Sequence, residues 1–156
     1  MLEELMQLWP YVIGYLFAIF VAQEFISRIT DQMWLAIGQT QQETQVQWQS
    51  TVIGWIERVL YVAFFQAGNP EFIGFWLALK VAGQWDRWTK KREFFNVFLI
   101  YNALSVAYGA VGSKIIDWFA AREWFTGISV PAIFILASLA LLRFIKRKTG
   151  AAEPAS

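Results

Sequence analysis

The sequence predicts an all-α fold: a polytopic transmembrane bundle of four to five helices, including a hairpin over residues 51–85. Three observations lead there. Charged residues make up only 16% of the chain and apolar residues 57%, with nine Trp and fourteen Phe, whereas a soluble domain carries about a quarter charged residues. Three windows contain no Asp, Glu, Lys or Arg: Leu8 to Gln23, Phe94 to Ser113 and Trp124 to Leu142, of 16, 20 and 19 residues. These windows are continuously apolar rather than alternating, which disfavours a β-barrel.

A bilayer core of about 30 Å takes roughly 20 residues of helix, and the second and third windows meet that directly. The first does so when extended through Glu24 to Ile26, with Arg28 one turn beyond Glu24 to pair with it. Its leader carries Glu3 and Glu4 instead of Lys or Arg, and no small-x-small cleavage site follows. It therefore reads as a retained helix and not a secretory signal.

The segment 27–50 combines Gln39, Gln41, Gln42, Gln45, Gln47 and Gln49 with Met33, Trp34, Leu35, Ile37, Val46 and Trp48. One reading is an interfacial or cytoplasmic helix prolonging the first span, since Gln is a fair helix former. The other is a docking surface for a partner, carried by Gln41, Gln42, Gln45 and Trp48, because an uncharged Gln row bonds without holding water as strongly as charges do.

Thr51 to Gly68 and Glu71 to Trp85 read as a helical hairpin, with Gly68, Asn69 and Pro70 at its turn and Pro placed to open the second arm. The second arm has about 22 Å of helix, short for a span, so it crosses with help from Asp86 and Arg87 or is re-entrant. Phe94 to Ser113 and Thr126 to Leu142 complete the bundle, joined by a loop from Lys114 to Phe125 in which Lys114 and Arg122 balance Asp117 and Glu123.

Two basic clusters orient the chain: Arg87, Lys90, Lys91 and Arg92, then Arg143, Lys146, Arg147 and Lys148. Short basic loops stay cytoplasmic. The expected topology is a multi-pass protein of the cell membrane, as in a bacterial inner membrane, with the N-terminus outside and the C-terminus cytoplasmic. Trp9, Trp118 and Trp124 then fall at the outer interface and Trp48, Trp55, Trp85 and Trp88 at the inner, which leaves Trp76 at mid-membrane. Residues 1–148 form one transmembrane domain, and the small, polar stretch 149–156 is expected to be a disordered cytoplasmic tail.

The chain has no Cys and no His. This excludes disulfides, thiol redox chemistry, Cys/His zinc sites, Cys-held iron–sulfur clusters and haem on its usual ligands. No phosphate-binding Gly loop, nucleophile elbow or carboxylate metal cluster is present, so neither a cofactor nor enzymatic activity is expected. A net charge of +1 gives no field to draw nucleic acid.

Function-bearing residues are sought where charge lies in apolar sequence, because a charge in hydrocarbon costs about 2.5–3.5 kcal/mol on insertion scales. Glu57, Arg58 and Lys80 qualify. With the hairpin turn between Asn69 and Pro70, Lys80 lies level with Val59, and Glu57 is roughly 3 Å further in. A Lys side chain spans that offset, so Glu57 and Lys80 are the expected pair. Arg58 points about 100° away, toward the inner interface or another helix. The pair reads as a structural lock, an ion or proton pathway, or a ligand site. On the next helix Asn102, Ser105, Gly109 and Gly112 recur at spacings of three and four. This is a seam for close helix approach or, with Gln66, Tyr101 and Tyr108, a polar lining continuous with the pair.

The runs Glu57-Arg58-Val59-Leu60, Ile73-Gly74-Phe75 with Ala78-Leu79-Lys80, and Leu99-Ile100-Tyr101-Asn102-Ala103-Leu104-Ser105 resemble a family of small multi-pass bacterial membrane proteins of unknown function. That family carries Glu-Arg, then Gly-Phe followed by Ala-Lys, then Leu-Ile-Gly-Thr followed by Ser; Tyr101-Asn102 stands in place of its Gly-Thr. The resemblance covers residues 53–112. It implies that Glu57, Arg58, Lys80 and Ser105 belong to one site, and it implies no activity. The expected function is a non-catalytic membrane subunit that binds other membrane proteins or itself in the lipid bilayer, as a homo-oligomer or complex subunit. The alternative is a small ion or proton channel or transporter using Glu57 and Lys80.

Overall fold

The computed structural model describes residues 2–38, 47–83, 85 and 92–150, with side chains over 7–38, 50–83, 85 and 92–148. The described chain is helical with short turns. A long N-terminal helix comprises α1 (Leu2–Leu16), a π-helical turn (Phe17–Val21) and α2 (Ala22–Ala36). It ends at Gly38, whose φ of 71° and bond from its N–H to the Leu35 carbonyl form a left-handed cap that Gly adopts without a Cβ clash. The helix thus prolongs the first span through Ala36. Gln39, Gln41, Gln42 and Gln45 lie outside the described residues.

Helix α3 (Gln47–Gln66) and α4 (Glu71–Gly83) form the hairpin. Gly68 closes α3 in a Schellman turn: its φ is 71°, and the Asn69 N–H reaches back to the Phe64 carbonyl. Helices α5 (Arg92–Ala120) and α6 (Trp124–Gly150) come next. The expected loop from Lys114 to Phe125 shrinks to the turn Ala121–Glu123. Lys114 and Asp117 pair at 2.9 Å one turn apart on the helix surface, so their charges prolong α5 instead of ending it. Helix α6 continues to Gly150, two residues into the expected tail.

Three helical stretches are long and apolar enough to cross a membrane: Gln7–Ala36, Arg92–Ala120 and Trp124–Lys148. Length and composition thus support three of the expected four to five spans. Helix α3 has the length, but Glu57, Arg58 and its glutamines make it more polar. Helix α4 is apolar, but its 13 residues span only about 20 Å.

Helix α5 is the centre of the bundle. Tyr61 of α3 packs on Gly109 and Gln66 bonds Ser113, so α3 and α5 run parallel. Gly14 lies against Gly112, and Phe17 against Tyr108 at 5.7 Å, so the N-terminal helix is antiparallel to them. Phe134 and Ser138 of α6 meet Tyr108, and Gly127 meets Phe119, which makes α6 antiparallel too. The core runs along these contacts through Phe17, Ala22, Ile26, Tyr108, Ile115 and Phe119, with Ala18, Val62 and Ile116 beside it. Trp9 stacks on Trp124 at 5.2 Å and closes one end; Trp34 meets Phe94 at 5.2 Å near the other.

The closest helix approach yields a first prediction. A Cβ on Gly112 would lie 2.8 Å from the Gly14 carbonyl oxygen and 2.9 Å from the Ala18 Cβ, whereas one on Gly74 would meet nothing within 4 Å. Gly112→Ala should cost about 1–3 kcal/mol in detergent unfolding, as an overpacked core does. Gly74→Ala should be neutral or should stabilise by about 0.5–1 kcal/mol through helix propensity. Equal melting of the two variants would contradict the packing of α1 on α5.

Candidate functional site

One face of α3 buries its charges. Gly54, Glu57, Arg58, Tyr61 and Val62, at the three- and four-residue spacing of a helix face, are all buried, while Val52, Ile53, Trp55, Ile56 and Val59 are exposed. Glu57 is 1% exposed and Arg58 0%. Glu57 and Arg58 do not face each other, because residues i and i+1 diverge by about 100°. Each ion therefore takes its partner from a different helix.

Glu57 is served by α4. Lys80 Nζ lies 2.7 Å from Glu57 Oε1, and the Trp76 indole N–H donates to the same oxygen at 3.3 Å. The Lys80 ammonium also donates to Asn102 Oδ1 on α5 at 2.7 Å. The Asn102 amide donates to the Phe98 carbonyl at 2.7 Å, which orients its oxygen toward Lys80. The Phe98 and Tyr101 rings stand 5.3 and 5.8 Å from the ammonium, at cation–π distance.

Arg58 turns the other way, to the N-terminal helix, where its Nη2 donates to Gln23 Oε1 at 2.6 Å. It reaches another helix, not an interface. Gln23 stands two residues beyond the π-helical turn Phe17–Val21. Such a turn accommodates about one extra residue, and so rotates the remainder of the helix by about 100° relative to an unbroken α-helix. The Tyr101 hydroxyl packs so closely over Gly54 that a Cβ there would collide with it. Gly54 thus leaves room for an aromatic hydroxyl beside the guanidinium.

Asn102 and Ser105 are buried at 3% and 0% exposure. The register that sets Gly54 against Tyr101 and Tyr61 against Gly109 places Ser105 opposite Arg58. Among the described residues, five buried side-chain polar atoms lack a well-formed hydrogen bond: Glu57 Oε2, Arg58 Nε and Nη1, the Tyr61 hydroxyl and Ser105 Oγ. The structure thus joins Glu57 to Asn102 through Lys80 and sets Arg58 and Ser105 alongside.

Other candidates lie elsewhere. Gln66 bonds Ser113 and Asp117 near the Gly68 turn, and Tyr108 donates to Ser138 at 2.9 Å, so neither continues the cluster. The pairs Glu24–Arg28 and Lys114–Asp117 are exposed on helix surfaces. Gln41, Gln42 and Gln45 lie outside the described residues, as does the Trp48 side chain, whose backbone opens α3. Among the described residues no group of three metal-ligating side chains occurs.

Gln23, Trp76 and Tyr61 are site residues that sequence reasoning does not assign. Trp76 carries a signal, as an indole N–H within an apolar helix needs an acceptor. Tyr61 lies one turn beyond Glu57. Gln23 sits at the end of an apolar window, and nothing in its spacing points to Arg58.

Set against family models, curated proteins and solved structures, the chain has no match, so its functional reading rests on this geometry.

The ion pair makes a second prediction. Lys80→Met strands the Glu57 carboxylate and should cost about 3–5 kcal/mol, whereas Glu57→Gln with Lys80→Met removes both charges and should cost much less. Melting in detergent decides between these outcomes. Additive effects of the two single changes would mean that the side chains do not interact.

Proposed function

We propose that the chain is a non-catalytic integral membrane protein of four to five membrane helices, working as a subunit that binds other membrane proteins or itself. Support for lipid as its solvent comes from the inverted pattern of α3, which keeps ions inside and aliphatic side chains outside. Water would select the reverse.

The observation that carries the assembly reading is an uncovered seam on α4. Gly74, Ala78 and Ala82 recur every four residues, and all three are exposed. Open space surrounds the Gly74 Cβ position. In lipid, where apolar area alone drives little association, such small-residue rows are where helices approach each other. This chain uses the device on α5, where Gly109 and Gly112 receive α3 and α1. On α4 the same device faces outward, flanked by exposed Phe72, Phe75 and Leu79. A helix of about 20 Å in a core of about 30 Å is also poorly matched to lipid alone, and a partner helix would cover it.

Assembly and orientation are each open to test. Extracted in a mild detergent, the protein should run as a complex larger than its 18.0 kDa chain, and Gly74→Leu with Ala78→Leu should reduce that size without unfolding it. A single chain in native membranes and detergent alike would rule assembly out. For orientation, a cysteine at Asn69 or Ala121 should label with an impermeant reagent from outside and one at Thr89 only after lysis, because the basic clusters hold their ends inside. Labelling of residue 69 only from the cytoplasmic side would invert the arrangement.

A further inference from the structure

We propose that the buried cluster is a binding site for a small inorganic anion, a halide, seated against Arg58 and Ser105. The site is independent of assembly through α4. Charge is the first argument. Glu57 and Lys80 neutralise each other at 2.7 Å, while Arg58, fully buried, donates to the amide oxygen of Gln23, lies beside the Tyr101 hydroxyl and pairs with no described carboxylate. The cluster therefore holds one uncompensated positive charge, which costs several kcal/mol in a low-dielectric interior. Water can hydrate that charge but cannot cancel it.

Donor geometry is the second argument. Arg58 Nε and Nη1, the Tyr61 hydroxyl and Ser105 Oγ are all buried, lack a well-formed hydrogen bond and are able to donate, with the Tyr101 hydroxyl beside Arg58 and Ser105. Arg58, Tyr61 and Ser105 are each 0% exposed. Donors without a well-formed bond on three such side chains are the complement of an anion, and leaving them empty would cost about 1–3 kcal/mol each. The fourth residue of the group, Glu57, opposes an anion through Oε2. Its charge is offset by Lys80 on Oε1, so the seat falls on the Arg58 and Ser105 side.

Closure of the site selects the ligand. Arg58 is bordered by Gly54, Tyr101 and Gln23 and is fully buried, which favours a small anion over a lipid phosphate or a carboxylate. Of the anions, one of a single atom asks the least room of so closed a site.

The test uses the full chain in detergent at constant ionic strength, with sodium chloride exchanged for sodium gluconate. Because ligand binding to the folded state stabilises by mass action, chloride should raise the melting temperature in proportion to the logarithm of its concentration, by roughly 5–10 °C at a hundredfold excess over Kd. Ser105→Ala and Tyr61→Phe should each shift the chloride midpoint severalfold upward, and Arg58→Gln should abolish the response. Should Arg58→Gln fail to fold, crystals grown in bromide decide the matter through an anomalous peak beside Arg58. Equal melting of the wild-type chain in chloride and gluconate would overturn the site. So would an undiminished chloride response in Ser105→Ala with Tyr61→Phe, or water alone beside Arg58 in the bromide crystals.

Discussion

Two adjacent ions of opposite sign on one helix do not face each other, and much of the architecture answers to that constraint. Glu57 and Arg58 diverge around α3, so the carboxylate takes Lys80 and Trp76 from α4, and the guanidinium takes Gln23 from the N-terminal helix. Lys80 is shared with Asn102 of α5. Four helices thereby meet around one turn of α3. Their relative positions are fixed by bonds that tolerate only a few tenths of an ångström, whereas apolar contacts slide. Replacing such ions by apolar side chains would often stabilise a bundle, so their presence argues for a task beyond cohesion.

The polar cluster can close only because α5 offers small residues where α3 and α1 cross it. Tyr61 rests on Gly109, and Gly14 meets Gly112. With larger side chains at these positions the helices would stand apart, and Arg58 would gain water and lose its bond to Gln23. The π-helical turn ahead of Gln23 is the matching adjustment on the other helix. Seam and turn lie on different helices but serve the same contact.

The Glu57–Lys80 contact is legible in the sequence because the Gly68-Asn69-Pro70 turn sets the hairpin register and helix rise converts register into depth. The burial of Asn102 and Ser105 is legible from spacing alone. Arg58 is legible only as a direction, since its partner lies 35 residues earlier in the chain and behind a π-helical turn that no local pattern announces. The loop expected over 114–125 fails for an electrostatic reason. Charges in sequence look like a solvent loop, yet Lys114 and Asp117 at a spacing of three satisfy each other on a helix surface. Length and composition mark three spans and leave the hairpin arms unmarked, because apolar content comes without length in α4, and length comes with buried polarity in α3.

Helix α4 links the interior to the surface. It carries the cation that Glu57 requires on one side and the uncovered row Gly74, Ala78 and Ala82 on another. Its hold on the bundle includes the Phe64–Phe72 stack near the turn, at 5.5 Å, and the bonds of Trp76 and Lys80 to the cluster. A partner packed along the seam would press on the helix that delivers Lys80, and withdrawal of that helix would leave a buried carboxylate beside a guanidinium it cannot face. The energy of any such movement is set by the cost of an unpaired buried ion, of order several kcal/mol, which exceeds what a single helix–helix contact in lipid supplies. Docking on α4 is therefore expected to hold the ion cluster closed, not to open it.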